Sequence, residues 1–560
     1  MMTKCKMKKL ALAAAVALGG VGLIQSAQAV QVAQDGLGQV LIFPYYTVRG
    51  GWQTLLHVTN TSSSDIAAVK VRFHESYNSR DVFDFNVILS PNDVWTGYVS
   101  DSANGPVMNT VDTSCTAPVI PAGGAAFPAP LVNNVPSPPS FTGTAADGGP
   151  TTVDRMREGY AEMILMGTAN VARLQGIAPG APNYASAQLL LGAVHNPATG
   201  VLPANGCSNL AFAFQTNAAV FNSANGLKGQ FGYPDLNGVA LVPPDTTQNP
   251  LKGSFSLVNS GLGWSAGGLP VTLANFWAVL LGPGIANNLL SMQLPPASIP
   301  LAAPINWQIS WHEPTLNSAN TAGIILNPNT GAPLAGPAST AEAVGFTIQH
   351  TNIINEWSRR TDPQGWTTDT DWVVTYPTKL FYVDYDPNNQ YSGRATPRTT
   401  FAPGLPPLAA WPAPPAPFAS YFVNTAGAAG APPGPATAIR AGLSCDAITF
   451  NLYDRNEKLA VGSGFSPGGN PQLCYEANVL TFDGSNILKS NAATVSSING
   501  LPGEAGWLNI AFSAPAAGGA TALMAPGRPA IGFQITVRNT SNSSLNEAMI
   551  FNHSYSRTYP

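Results

Sequence analysis

Ala67-Ala68-Val69-Lys70-Val71-Arg72-Phe73-His74 reads as a β-strand. Ala67, Val69, Val71 and Phe73 fall on one side of a pleated chain. Ala68, Lys70, Arg72 and His74 fall on the other. Period-two alternation of this kind predicts one buried face and one wet face. Phe83, Phe85, Val87 and Leu89 repeat the pattern against Asp84, Asn86 and Ile88, and Ser90-Pro91-Asn92-Asp93 supplies a turn before a strand beginning at Val94–Val99. A polar break at Asn60–Asp65 precedes the first of these strands. Short alternating strands joined by turns predict an all-β fold of immunoglobulin-like β-sandwich units.

Strand patterns recur at Tyr160–Met166, Phe255–Val258, Trp307–Trp311, Phe346–His350, Asp371–Tyr376, Leu380–Val383, Ile448–Tyr453 and Leu508–Phe512. Helical periodicity is scarce. Long Pro/Gly/Ala-rich stretches, chiefly Ala117–Pro150, Gly282–Pro304 and Ala402–Ala438, read as loops, because proline cannot donate to a ladder. The second of these is the expected domain boundary. It divides the chain into a signal peptide at 1–29, an N-terminal β-sandwich region at 30–281 and a C-terminal one at 305–560. The C-terminus echoes the opening hairpin. Phe533, Ile535 and Val537 lead into Asn539-Thr540-Ser541 and then Phe551-Asn552-His553-Ser554-Tyr555, as Val58 leads into Asn60-Thr61-Ser62 and then Phe73-His74-Glu75-Ser76-Tyr77. Duplication is one account of this likeness; common hairpin grammar is the other.

Residues 1–29 carry a basic start (Lys4, Lys6, Lys8, Lys9), an apolar run at Leu10–Ile24 and a small-residue site at Ala27-Gln28-Ala29. That combination predicts a cleaved secretory signal, with the mature chain starting near Val30, no membrane span, and a destination outside the cell or on its surface. Charged residues make up only 10% of the chain, against a typical value of about 25%. Loss of four leader lysines leaves 21 basic against 29 acidic residues, a net charge of −8. Such a chain does not attract phosphate backbones, which argues against nucleic acid. With 45% apolar and 9% aromatic residues it can still build cores. Cys5 leaves with the leader. Cys115, Cys207, Cys445 and Cys474 remain, and four cysteines allow three pairings. The sequence-near pairing, Cys115 with Cys207 and Cys445 with Cys474, is the expected one in an oxidising compartment.

Familiar catalytic and metal-binding patterns fail on inspection. Gly464-Phe465-Ser466-Pro467-Gly468 matches the G-x-S-x-G string, but Pro467 has no N–H to offer an oxyanion. The string reads as a turn. The histidines 57, 74, 195, 312, 350 and 553 show no metal-ligand spacing, and His312-Glu313 runs into Pro314. His74 and His553 hold matching places in the two echoing hairpins, which predicts a shared structural hydrogen bond. No cofactor is expected. Calcium near Asp384, Asp386 and Asn388 is a weaker alternative to a plain turn, because Asn389 and Ala395 stand where a calcium loop needs glycine and glutamate. Trp357, Trp366, Trp372, Tyr376 and Tyr382 cluster in sequence. They read first as sheet core and second as a glycan-binding platform.

Two segments carry a resemblance. Gly36-Leu37-Gly38-Gln39-Val40-Leu41-Ile42-Phe43-Pro44-Tyr45-Tyr46-Thr47-Val48 and Asp371-Trp372-Val373-Val374-Thr375-Tyr376-Pro377-Thr378-Lys379 resemble recurring segments of a group of exported proteins of Gram-negative bacteria with no assigned activity. The resemblance implies export and one shared fold, and it carries no functional residue across. Leader, low charge, strand patterning and missing catalytic motifs together predict a non-enzymatic structural protein of the cell surface. A surface-layer, sheath, fibre or biofilm-matrix subunit, associating with itself or with other surface components, fits these features. An adhesin or glycan-binding module is the first alternative, and an exported hydrolase of unfamiliar type the second.

Overall fold

The computed structural model of the chain describes residues 30–127, 150–181, 184–216, 249–276, 316, 340–383, 418, 444–460, 464–466, 471–491, 495–512, 527–540 and 542–556. The expected signal peptide, the Trp307–Trp311 strand and the Gly282–Pro304 boundary lie outside these residues, as do His312-Glu313 and the Asp384–Asn388 segment. Apart from one parallel pair, Ala477–Phe482 with Val495–Asn499, the strand pairings described are antiparallel.

A seven-stranded sheet orders its strands as Gln31–Val32, Val271–Ala274, Val40–Thr47, Glu158–Asn170, Asp65–Glu75, Asp81–Leu89 and Cys115–Ala117. Its inner face carries Leu41, Phe43, Val69, Val71, Phe73, Phe85 and Met163. These meet Leu56, Val58, Trp95, Phe255 and Leu257 from a six-stranded sheet ordered Trp264–Gly268, Leu251–Asn259, Gln53–Asn60, Val94–Ser102, Gly105–Asn109 and Ala125–Ala126. Pro44 sits where the Val40–Thr47 strand bulges against Glu158–Asn170, a position that spares it from donating a ladder bond.

The seven-stranded sheet is also covered on its other face. At one end Ile66, Ala68, Ile88 and Met166 pack under the helices Val171–Gln175, Tyr184–Leu191 and Gly206–Thr216. At the other, Val40, Ile42, Tyr160 and Ile164 meet Phe276, Val344 and Ile348. This overturns the wet face predicted for residues 67–74. Every residue of Asp65–Glu75 is buried. Two buried faces also account for the unbroken apolar run at 40–46.

The third sheet, eleven-stranded, folds over into two leaves. Its hinge is Asn352–Thr361, which pairs with Ala505–Phe512 through residues 352–358 and with Thr367–Thr375 through 359–361. Between the leaves lie Ile353, Trp357, Trp372, Val374, Leu480, Phe482, Ile498, Leu508 and Ile510. Alternate residues of the inner leaf, Val373, Val479, Phe533, Ile535 and Val537, join the core of the first two sheets. The described parts of regions 30–281 and 305–560 therefore share one apolar core. Polar bonds cross the same boundary. Thr375 Oγ1 donates to Pro44 O (2.6 Å), Trp52 Nε1 to Ile487 O (3.0 Å) and the Glu476 amide to Ser76 O (3.0 Å).

Three local expectations differ. Leu380–Val383 is a helical turn rather than a strand, because Pro377 stops the ladder and Phe381 N donates back to Thr378 O. Residues 346–347 close the helix Thr340–Thr347, and only Gln349–His350 is strand. The echoing ends are built differently. Gln53–Asn60 and Asp65–Glu75 lie in different sheets, whereas Ile531–Asn539 and Glu547–Asn552 pair directly. Short matching strings do not specify which strands pair.

Candidate functional site: an internal charge layer and open sheet faces

Among the described residues many charged side chains turn inward. Three neighbouring strands set Tyr160 and Glu162, then Arg72 and His74, then Asp81 and Asp84 in adjacent register. Ion pairs cross the strands: Lys70 Nζ to Asp84 Oδ1 at 2.9 Å, Arg72 Nη1 to Asp81 Oδ2 at 2.6 Å, and His74 Nε2 to Glu162 Oε1 at 3.2 Å. Burial opposes charge on His74, but the adjacent Glu162 carboxylate outweighs it and raises the ring's pKa above 6.5. Burial, then the neighbouring Asp84, pushes Asp81 up to about 6 against the pull of Arg72.

Two further carboxylates act as internal staples. Glu75 is fully buried and accepts Arg155 Nε at 2.8 Å and Nη2 at 3.0 Å. It also accepts the backbone amides of Tyr77, Asn78 and Arg80, closing the turn into Asp81–Leu89. Glu158 accepts Tyr45 Oη (2.7 Å), Ser490 Oγ (2.6 Å) and the Asn491 amide (3.1 Å), with Arg49 Nε 3.1 Å away. It thereby joins strands of the first sheet to a loop from the C-terminal region. Lys379 and Arg528 flank Asp446 at 3.0 and 3.4 Å in a third buried group.

The outer face of the six-stranded sheet is left with few charges. On the outer side of the six-stranded sheet, Gly267, Ser256, Leu55, Tyr98 and Asn109 form one cross-strand row, and Ser254, His57 and Thr96 the next. Lys252 is the one formal charge on the outward positions of these strands. Burial alternates along Gln53–Asn60 and through residues 94–100, which marks a sheet packed on one side only.

The sequence-predicted sites fare unevenly. Cys115–Cys207 and Cys445–Cys474 are disulfides, as expected. Trp357, Trp372 and Tyr376 are at most 1% exposed and fill the core between the leaves, so they form no exposed ring platform. Large rings gain most from that burial. Trp366 stands apart beneath Arg538, whose guanidinium carbon lies 4.2 Å from its ring centroid. Tyr382 lies on the turn Leu380–Val383, and its side chain is outside the described residues. Ser466 is on a short strand, Gly464–Ser466, paired to Val495–Asn499 rather than on a turn. Among the described residues no group of three or more His, Cys, Asp or Glu could hold a metal.

Sequence reading missed one polar cluster. His195 Nδ1 meets Ser90 Oγ at 2.9 Å and lies 3.4 Å from Asp93 Oδ2, while its Nε2 meets Thr113 Oγ1 at 3.2 Å. Carboxylate, imidazole and hydroxyl stand in the order of an acyl-transfer relay. The amide following that hydroxyl, Ser114 N–H, already donates to Asp112 Oδ1 at 2.8 Å. The position that would serve an oxyanion is thus occupied. What the cluster does visibly is tie the helical segment to the 90–93 turn. No sequence spacing announces it, because its members come from three separated segments.

His74 and His553 do not share a bond. His74 Nδ1 contacts Ser79 O, whereas His553 Nε2 donates to Val373 O at 2.9 Å and its Nδ1 accepts from Asn355 Nδ2 at 3.1 Å. Those partners assign the neutral tautomer of His553. Burial drives its pKa down to about 4. The unfolded chain takes up this proton near 6.5, so the contribution of His553 to stability is complete above 6.5 and lost as pH falls to about 4. The stability difference between wild type and His553→Asn is expected to shrink by about 3 kcal/mol between pH 7 and 4. Denaturation midpoints across that range test this. A difference that stays constant refutes it.

Among the described residues no helix is long and apolar enough to cross a membrane. Comparison of the chain with known protein families, with curated proteins and with solved structures finds no match.

Proposed function

We propose that this is an exported structural protein of the cell surface, working by association with itself or with other surface components and turning over no small molecule. The observation that carries this reading is the placement of charge. Buried networks absorb Lys70, Arg72, Arg155, Lys379 and Arg528 with their acidic partners, while the outer face of the six-stranded sheet offers mostly Ser, Thr, Asn and aliphatic side chains with Tyr98, His57 and one lysine, and the Asp112 carboxylate beside Thr96. A face without like-charge repulsion can meet another copy closely. The strand Glu547–Asn552, which lies beside Trp264–Gly268, adds exposed Met549 and Phe551. Disulfides suit an oxidising compartment and an assembly that outlasts its release from the cell.

Size-exclusion chromatography with light scattering, run across concentration, tests this reading. The mature chain is expected to show a mass that rises with concentration. Ser254→Glu with Ser256→Glu, which puts two negative charges side by side on the neutral face, is expected to lower that mass. A monomer at every concentration overturns the proposal.

A further inference from the structure

We propose that the outer leaf of the eleven-stranded sheet binds an uncharged glycan chain along a ridge formed by Leu459, Tyr453 and Trp507. Tyr453 is paired in register with Trp507 on one side and bridged to Leu459 on the other. The two rings stack with centroids 4.3 Å apart and planes 14° from parallel. Leu459 is 44% and Trp507 36% exposed, so the ridge faces solvent. Gly506 makes the stack attainable. A Cβ there would fall 1.8 Å from Tyr453 O and push the two strands apart.

Beside the ridge runs a polar row. Asn451 and Asn509 are register partners, and Asn352 Nδ2 donates to Asn509 Oδ1 at 2.9 Å. Strands spaced by ~4.8 Å and outward residues two positions apart put the Asn451–Asn509 amides beside the rings on one side. A pyranose has the same two-sided chemistry, an apolar C–H face and a rim of hydroxyls. Its apolar face gains by leaving water against an aromatic surface, and its hydroxyls need groups that both donate and accept, as amides do. Rings already stacked against each other lose little freedom on binding.

Charge selects an uncharged chain. Glu356, the register partner of Trp507 on the hinge strand, places a carboxylate at the end of the ridge. Arg360, further along that strand, lies 3.9 Å from Glu504. Exposed Arg455 and Lys458 stand near the Tyr453–Leu459 end, so the opposite signs at the two ends offer neither a polyanion nor a polycation a net attraction. The ridge is separate from the buried Trp357, Trp372 and Tyr376, and the proposal does not depend on self-association.

The test is retention of the mature, disulfide-intact protein on insoluble β-linked glucan and on insoluble β-linked N-acetylglucosamine polymer. Wild type is expected to be retained on at least one. Trp507→Ala and Tyr453→Ala should each lower the partition constant tenfold or more, and Trp507→Phe should recover part of it. Phe551→Ala, on an exposed ring elsewhere, should bind as wild type. Unchanged denaturation midpoints would show that the variants fold. Absence of wild-type retention on both polymers overturns the proposal, as does a Trp507→Ala variant that binds normally. Loss of oligomeric mass in Trp507→Ala with glycan retention intact would assign the ridge to contacts between copies and also overturn it.

Discussion

Glu75→Ala is expected to destabilise the fold by about 3–5 kcal/mol, because it strands a buried cation. The Arg155 guanidinium is fully buried against Glu75, and the same carboxylate accepts three backbone amides of the 77–80 turn. Removing it leaves those donors in a low-dielectric interior, where each unmade bond costs about 1–3 kcal/mol. Relaxation of the turn will recover part of that sum. Glu75→Gln, which keeps the shape and loses the charge, should fall between wild type and alanine. Glu75→Ala combined with Arg155→Met should be less destabilised than the sum of the single changes, since the stranded cation is gone. Chemical denaturation of the four proteins measures this. A Glu75→Ala midpoint within experimental error of wild type would show that the staple carries no weight.

Loss of the Cys115–Cys207 bond is the second large effect. The bond closes a loop of 92 residues and fastens the helix Gly206–Thr216 to the edge strand Cys115–Ala117. Chain entropy alone assigns such a loop about 4–5 kcal/mol, against about 3–4 for the 29-residue separation of Cys445 and Cys474. Cys115→Ala with Cys207→Ser should therefore lower the denaturation midpoint more than the matching pair of changes at 445 and 474. Beyond the entropy, the helices resting on Ile66, Ala68, Ile88 and Met166 would keep their apolar contacts, the His195 link and the bond from Val171 N–H to Ser64 O. Hydrogen exchange should rise first in residues 171–216. Equal exchange there in the oxidised and substituted proteins would mean that packing alone holds the segment.

The first of these effects follows from how this chain places its charges. With charges at 10% of residues, it spends many of them inside. A buried pair is weak evidence for net stability, but it penalises alternatives in which a partner is missing. Glu158 shows the consequence. Its ligands Tyr45, Ser490 and Asn491 come from both halves of the sequence, so misdocked halves would cost it the Ser490 and Asn491 bonds. The price of that specificity is a surface with little electrostatic repulsion between copies.

Strand identity at 67–73, 83–89, 371–375 and 448–453 was legible from alternation, because side-chain parity along a strand is a local property. The sequence-near cysteine pairs were legible too. Trp507 could have been placed outward by the same rule, since Leu508, Ile510 and Phe512 claim the opposite parity of that strand. Burial of the second face at Lys70, Arg72 and His74 was not legible. A period of two says that the sides differ, not what covers each. Helices and loops hundreds of residues away decide that, and charged side chains then find partners on neighbouring strands. The Tyr453–Trp507 ridge and the His195 cluster were hidden for the same reason. The sequence by itself determined where strands run and which residues share a side. Tertiary layering decided which sides are core, which are charge-filled and which stay open, because burial depends on what packs on a sheet, and no residue carries that information alone.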